Sequence, residues 1–273
     1  MIIWLEKQRV INLLLVVGYV SFLLFAHSAF VSISVAVMNH FSLAVYDRLV
    51  AAILILLGLG AVGAVISVLR ISQVEYRFGV FFGLTLLLLV VHFFVLTEMN
   101  IEFIHAIMYG GLALLLFPLV GRFGGAVVLT LPIMLIDEWY QYAILFPHYT
   151  YFFELNDIVL NLLGAGLFTS LLGLLRAKSM KKSSAVLKRG EVLFFVSFVL
   201  VTIILWCACI IVSYTANACP NTWLVLNKLP ELTEFWYVHP TIGSIFHILK
   251  PIEGLFVAFS LCLFYLGMDF QKK

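Results

Sequence analysis

Long apolar runs recur from one end of this chain to the other, separated by short polar stretches. A helix needs roughly 20 apolar residues to cross ~30 Å of hydrocarbon. The pattern predicts eight such spans, at residues 10–36, 49–69, 79–97, 103–121, 123–145, 155–175, 192–214 and 249–269. A helix satisfies its own backbone in lipid, so the expected fold is an all-α, polytopic transmembrane helical bundle. The spans divide the chain into an N-terminal set (1–78), a core (79–176), a basic loop (177–191) and a C-terminal pair with a long outer loop (192–273).

Composition supports a membrane protein. Of 273 residues, 64% are hydrophobic and 11% charged, where soluble domains carry about a quarter charged residues. The net charge of +2 gives no case for nucleic acid. Cys207, Cys209, Cys219 and Cys262 show no metal-ligand spacing. Only Cys219 is expected in a loop, so no disulfide is expected. No cofactor is indicated.

Basic residues set the orientation. Lys7, Arg9, Arg70, Arg77, Arg122, Arg176, Lys178, Lys181, Lys182, Lys188, Arg189, Lys272 and Lys273 all fall on one side of an eight-span chain. The alternate loops hold Arg48 and Lys228. Both termini are therefore expected in the cytoplasm. Lys7 and Arg9 before an apolar run ending in "FAHSAF" also suggest a signal peptide, but the run is long for one and its small residues fit the cleavage pattern poorly. The loop "RAKSMKKSSAVLKRGE" reads as a basic anchor touching anionic lipid. Trp223, Trp236 and Tyr237 suit the outer interface, where their loop is expected to lie flat as a lid. Gly58, Gly60 and Gly63 are expected to let helices approach closely.

Against this apolar background, "LPIMLIDEWYQYAILF" places Asp137 and Glu138 inside a span. At ~1.5 Å per residue they lie roughly 20 Å from Arg122, in the outer third of the bilayer. The preceding span enters from outside near Glu102, with His105 about one turn in and Tyr109 about two. The following span enters near Asp157, with Asn161 one turn in and Gly164 below it. Glu102, His105 and Tyr109 make one stripe, Asp137, Glu138 and Gln141 include i+3 and i+4 pairs, and Asp157, Asn161 and Gly164 make a third stripe. Short connections make these three spans neighbours. The expected result is one polar pocket open to the outer face. Asp137 and Glu138 diverge by about 100° on their helix, so one is expected to face the pocket and the other an adjacent helix. Lys250, near the outer end of the last span, is a candidate counter-charge.

The segments "EFIHAIMYG", "DEWYQ" and "DIVLNLLG" resemble, in order and spacing, the VanZ-like family of bacterial membrane proteins. The likeness covers about residues 80–176. It implies a bacterial cytoplasmic membrane location and a link to teicoplanin resistance, but no settled chemistry. Family members often carry a Pro and an Arg after "DE..Q". Here "FPHYTYFFELND" has Pro147 and no Arg, so His148 or Lys250 would have to take that role.

A purely structural reading treats these residues as interhelical glue, with each polar pair contributing about 0.6 kcal/mol. The combined set of acids, His105, Gln141 and Asn161 favours a pocket instead. One function is binding or handling an amphiphile of the outer leaflet: a lipid head group, an envelope precursor or a lipophilic glycopeptide. A second is an intramembrane hydrolase or transferase, with Glu138 or His105 as base or with the acids holding a divalent cation. A proton-coupled transporter is a third, although it needs polar groups through the inner half as well.

Overall fold

The computed structural model describes residues 2–71, 76–148, 150–176, 190–229, 234–240 and 243–270. Most of the basic loop, 177–189, lies outside the described residues. The helices are α1 (Ile2–Lys7), α2 (Arg9–Phe41), α3 (Leu43–Ile71), α4 (Tyr76–Val95), α5 (Phe103–Val120), α6 (Phe123–Tyr140), α7 (Leu155–Arg176), α8 (Gly190–Cys207) and α9 (Pro251–Leu266). Among the described residues, seven helices are long and apolar enough to cross a membrane: α2 and α4 to α9. The remaining long helix, α3, occupies the place of the second predicted span.

The core is built around α7, which is buried along most of its length against α4, α5, α6 and α9. Small residues make this possible. A Cβ on Gly164 would lie 2.1 Å from the backbone oxygen of Ala106, so α5 and α7 meet backbone to backbone. Gly124 does the same against Tyr265 of α9. The last helix is thus packed into the core, and the fully buried Tyr265 hydroxyl shares a 3.0 Å hydrogen bond with Thr85 of α4. In contrast, α3 and α8 turn large apolar side chains outward, including Ile53, Leu56, Leu200 and Ile204. That outward apolar surface suits lipid. Gly58, Gly60 and Gly63 also face open space: an added Cβ would meet nothing within 4 Å. The close packing expected of them is not found.

One end of the bundle brings together the starts of α4, α6 and α8 with the ends of α7 and α9. Arg122 pairs with Glu191 at the start of α8, and Arg176 with Glu6 at 2.8 Å. Asp269, just past α9, accepts hydrogen bonds from the Phe123 and Gly125 N–H groups at the N-terminus of α6. This satisfies donors the helix cannot satisfy itself. Arg77 donates to the Phe270 carbonyl.

The opposite end corrects two expectations. The seventh span stops at Cys207, and residues 211–214 form a strand where 192–214 was expected to be helical. Strands β1 (Ile211–Tyr214) and β2 (Leu224–Asn227) pair in parallel, and β3 (Tyr237–Val238) pairs antiparallel with β4 (Ile245–Phe246). The outer segment is therefore a small β cap, and its described part is not a flat lid. It is tied down by Phe153 N–H to Leu226 O at 2.8 Å, Lys228 N–H to Tyr151 O at 2.9 Å and Tyr142 O–H to Val225 O at 2.7 Å. Trp223 and Trp236 remain exposed, as the interface reading expects. Because α8 is shorter than predicted, Cys209 also belongs to this cap. Thr222 Oγ1 accepts from Cys219 N–H and donates to Cys209 O, bringing the two cysteines together.

Candidate functional site

The halves of α5, α6 and α7 on the side of the β cap place most of the predicted polar residues in one cluster. Tyr109 O–H donates to Asp137 Oδ2 at 2.8 Å, with both residues fully buried. Glu138, one residue on, turns instead toward His105 and Asp157. One ligand atom from each of these three side chains lies within 4.8 Å of the others. The divergence of adjacent helical positions thus sends the two acids to different partners, both inside the bundle.

The helix changes pitch at this point. Residues Gln141–Leu145 form a π-helical turn directly after α6, closed by Phe146 N–H to Gln141 O at 2.9 Å. Single π turns widen a helix and recur at functional sites. The turn presents the Gln141 amide beside Asp137.

Several buried polar atoms here lack a partner: His105 Nδ1, Asp137 Oδ1, Glu138 Oε1, Gln141 Nε2 and both side-chain heteroatoms of Asn161. An unsatisfied buried polar group costs about 1–3 kcal/mol. Polar groups buried this way are satisfied by bound water, by a retained proton or by a ligand. Glu138 and Asn161 are at the closed end, 1% and 0% exposed, whereas Asp157 is only partly buried. Asp157 faces the rim, where its charge acts on Glu98 and Glu154.

That rim is acidic. Glu102 has a local duty: its carboxylate accepts the N–H groups of Met99 and Glu98 at 2.8 and 3.2 Å, capping the short 3-10 turn before α5. Glu98 lies 3.4 Å from His239 of the β cap. Burial, reinforced by the Asp157 charge, pushes the Glu98 carboxyl up to about 7. Glu154 is also held well above the usual carboxylate range, by burial and then by Asp157 and Glu98. A carboxyl raised on folding binds its proton more tightly in the folded state, so its contribution is full in acid and is lost as pH rises. The rim contribution of Glu98 is thus expected to decline between about pH 4.5 and 7. Thermal unfolding of the purified protein across that range checks this, and Glu98→Gln should flatten the slope.

Other predicted residues play different parts. Gly164 supplies the close approach to Ala106, next to His105, and offers no ligand. His148 is exposed in the turn after the π helix, outside the cluster. Lys250 caps the start of α9, where its N–H is held by Glu253, and lines a cleft with Phe152, Phe153 and Asn227 at the outer end.

Two participants escaped the sequence reading. His27 of α2 is buried with its ring 5.6 Å from that of His105, so the first long helix also reaches the site. Its signal was a lone histidine in the apolar run that resembled a signal peptide. Asn156, 4% exposed, joins three segments at the outer end. Its Nδ2 donates to Leu96 O and His247 O, both at 2.8 Å, and its Oδ1 accepts from Leu249 N–H at 3.0 Å. Its backbone oxygen lies 3.0 Å from His92 Nε2.

Comparison with protein-family models, with curated proteins and with solved structures returns no match. The likeness to the VanZ-like family rests on the three motifs quoted above.

Proposed function

We propose that this chain is a VanZ-like protein of the bacterial cytoplasmic membrane that binds or handles the polar head of an amphiphile in the outer leaflet. The observation that supports this reading is the set of unpartnered buried atoms on His105, Asp137, Glu138, Gln141 and Asn161, beside the trio His105, Glu138 and Asp157. Carboxylates and amides in that arrangement accept and donate hydrogen bonds to sugar hydroxyls, and the acids pair with ammonium groups. A mid-bundle site in the outer half suits a head group whose chain stays in lipid.

The three motifs support a family placement. A transporter draws no such support. In the inner half, Thr130, Thr169 and Ser170 donate to carbonyls of their own helices, at Val127, Ala165 and Leu167. A hydrolase or transferase is the second reading, favoured by the meeting of His105, Glu138 and Asp157.

The test uses photoactivatable alkyl probes, one with a disaccharide head and one with a quaternary ammonium head, on the full chain in nanodiscs. Labelling is expected on the outer halves of α5, α6 and α7, reduced at least tenfold by Asp137→Asn. Labelling that spreads over lipid-facing helices, or that is unchanged in this variant, sinks the reading.

A further inference from the structure

We propose that His105, Glu138 and Asp157 form a binding site for one divalent transition-metal cation. This rests on the head-group reading and deepens it by assigning the centre of the same site, and it is tested by metal binding with no photoprobe added.

The argument begins with geometry. Three side chains from three different helices each bring a ligand atom within 4.8 Å of the other two. Metal–nitrogen and metal–oxygen bonds of about 2.0–2.2 Å draw such a set together with small side-chain adjustments. Three helices fix the set: α5 and α7 are locked by the Gly164–Ala106 contact, and α6 brings in Glu138 just before its π turn.

The second observation is independent of that proximity. His105 Nδ1 and Glu138 Oε1 are buried without any partner in side chains 8% and 1% exposed. Two carboxyl groups this close cannot both be ionised unless a cation lies between them; otherwise one keeps a proton. Apart from His105 of the trio itself, no basic side chain is recorded in a hydrogen bond or ion pair with Glu138 or Asp157 among the described residues. A cation removes the repulsion and satisfies the unpaired atoms together.

The donor chemistry narrows the ion. One imidazole with two carboxylates suits zinc and its first-row neighbours better than calcium or magnesium, which prefer all-oxygen cages. Three protein ligands also leave a position open for water or a ligand oxygen. The partly buried Asp157 marks where that position opens, toward the rim. Asp137, Gln141 and Asn161 lie around the trio, where their unpaired atoms can orient the fourth ligand. A metal there would also let the site accept an oxygen of a phosphate or sugar head group, which bare carboxylates would repel if it were anionic.

The probes are Zn2+, Co2+ and Mg2+, each added alone to chelator-stripped full-length protein in nanodiscs containing only zwitterionic lipid. Zn2+ is expected to bind with one-to-one stoichiometry by calorimetry, and at least a hundredfold more tightly than Mg2+. Co2+ is expected to give the visible spectrum of a nitrogen–oxygen site. Glu138→Gln and Asp157→Asn each weaken Zn2+ by at least tenfold, and His105→Gln changes the Co2+ spectrum. The stripped variants are checked for wild-type helicity, and the wild-type Co2+ spectrum stands whether or not any variant folds. No stoichiometric Zn2+ and no Co2+ band in the wild type overturns the proposal, as does affinity unchanged in folded Glu138→Gln and Asp157→Asn. Because the readout is metal binding and no photoprobe is added, failure here leaves the photolabelling result untouched, and failure of the labelling leaves this one untouched.

Discussion

Replacing Asn156 with alanine is expected to lower stability by about 3–5 kcal/mol, the largest loss for any single polar side chain at the outer end. The substitution strips partners from two backbone carbonyls, Leu96 and His247, and from the Leu249 N–H. Each of these is left to find water or go unpaired in a place where the Asn156 side chain is 4% exposed. The loss exceeds that of a typical hydrogen bond because the unpaired groups stay behind. It also has a location. Leu96 follows α4, His247 and Leu249 precede α9, and Asn156 stands in the first turn of α7. The three segments are thus held together by one amide. Unfolding in detergent should show a lower midpoint, and limited proteolysis should cut first between α8 and α9. Asn156→Asp keeps the acceptor for Leu249 but loses both donated bonds, so it should recover only a fraction. A midpoint within error of wild type for Asn156→Ala would show that the three segments are held by other contacts.

The span pattern was legible because lipid leaves few alternatives: a run of apolar residues long enough to cross must be a helix. The end of α8 was not, because "IVSY" is as apolar as the helix before it. What ends the helix there is pairing with Leu224–Asn227, a partner ten or more residues away that no local pattern names. The same limit hid the β cap, whose strands are two to four residues long. Helical spacing grouped Tyr109, His105, Asp137, Glu138 and Asp157 because the three spans are sequential neighbours, but it did not name the Tyr109–Asp137 pair or the His105–Glu138–Asp157 trio. It missed His27, which comes from a helix more than 70 positions earlier. It also treated Glu102 as a pocket acid when its carboxylate is committed to the backbone of residues 98 and 99. Spacing reports which face a residue occupies. It does not report whether a nearer partner has already claimed it.

Gly164 shows how the packing and the site depend on each other. The nearest approach of α5 and α7 falls at Gly164 and Ala106, one residue from His105 and three from Asn161. Dispersion contacts along that seam hold the backbones rigid, so the polar side chains cannot relax toward one another to satisfy their own needs. Strength in the apolar packing is what keeps the polar cluster unsatisfied.

From this follows the second large effect, of opposite sign. In chelator, Glu138→Gln is expected to raise stability by about 1–2 kcal/mol, although it changes a fully buried residue in the middle of the bundle. If Glu138 were interhelical glue, removing its charge would loosen the bundle. The structure gives the opposite expectation. Its Oε1 has no donor, and the acid facing it is Asp157. An amide at the same position removes one of two like charges and brings an N–H that Asp157 can accept. Sites kept for binding commonly sacrifice stability in this way. The two states of the protein should then cross. With Zn2+ present, the wild type gains stability in proportion to its occupancy, whereas Glu138→Gln gains little. Thermal unfolding of both proteins with chelator and with Zn2+ gives four midpoints. A variant less stable than wild type in chelator would mark Glu138 as a structural residue. A variant more stable in chelator but less stable in Zn2+ would identify its carboxylate as one held in strain for a cation.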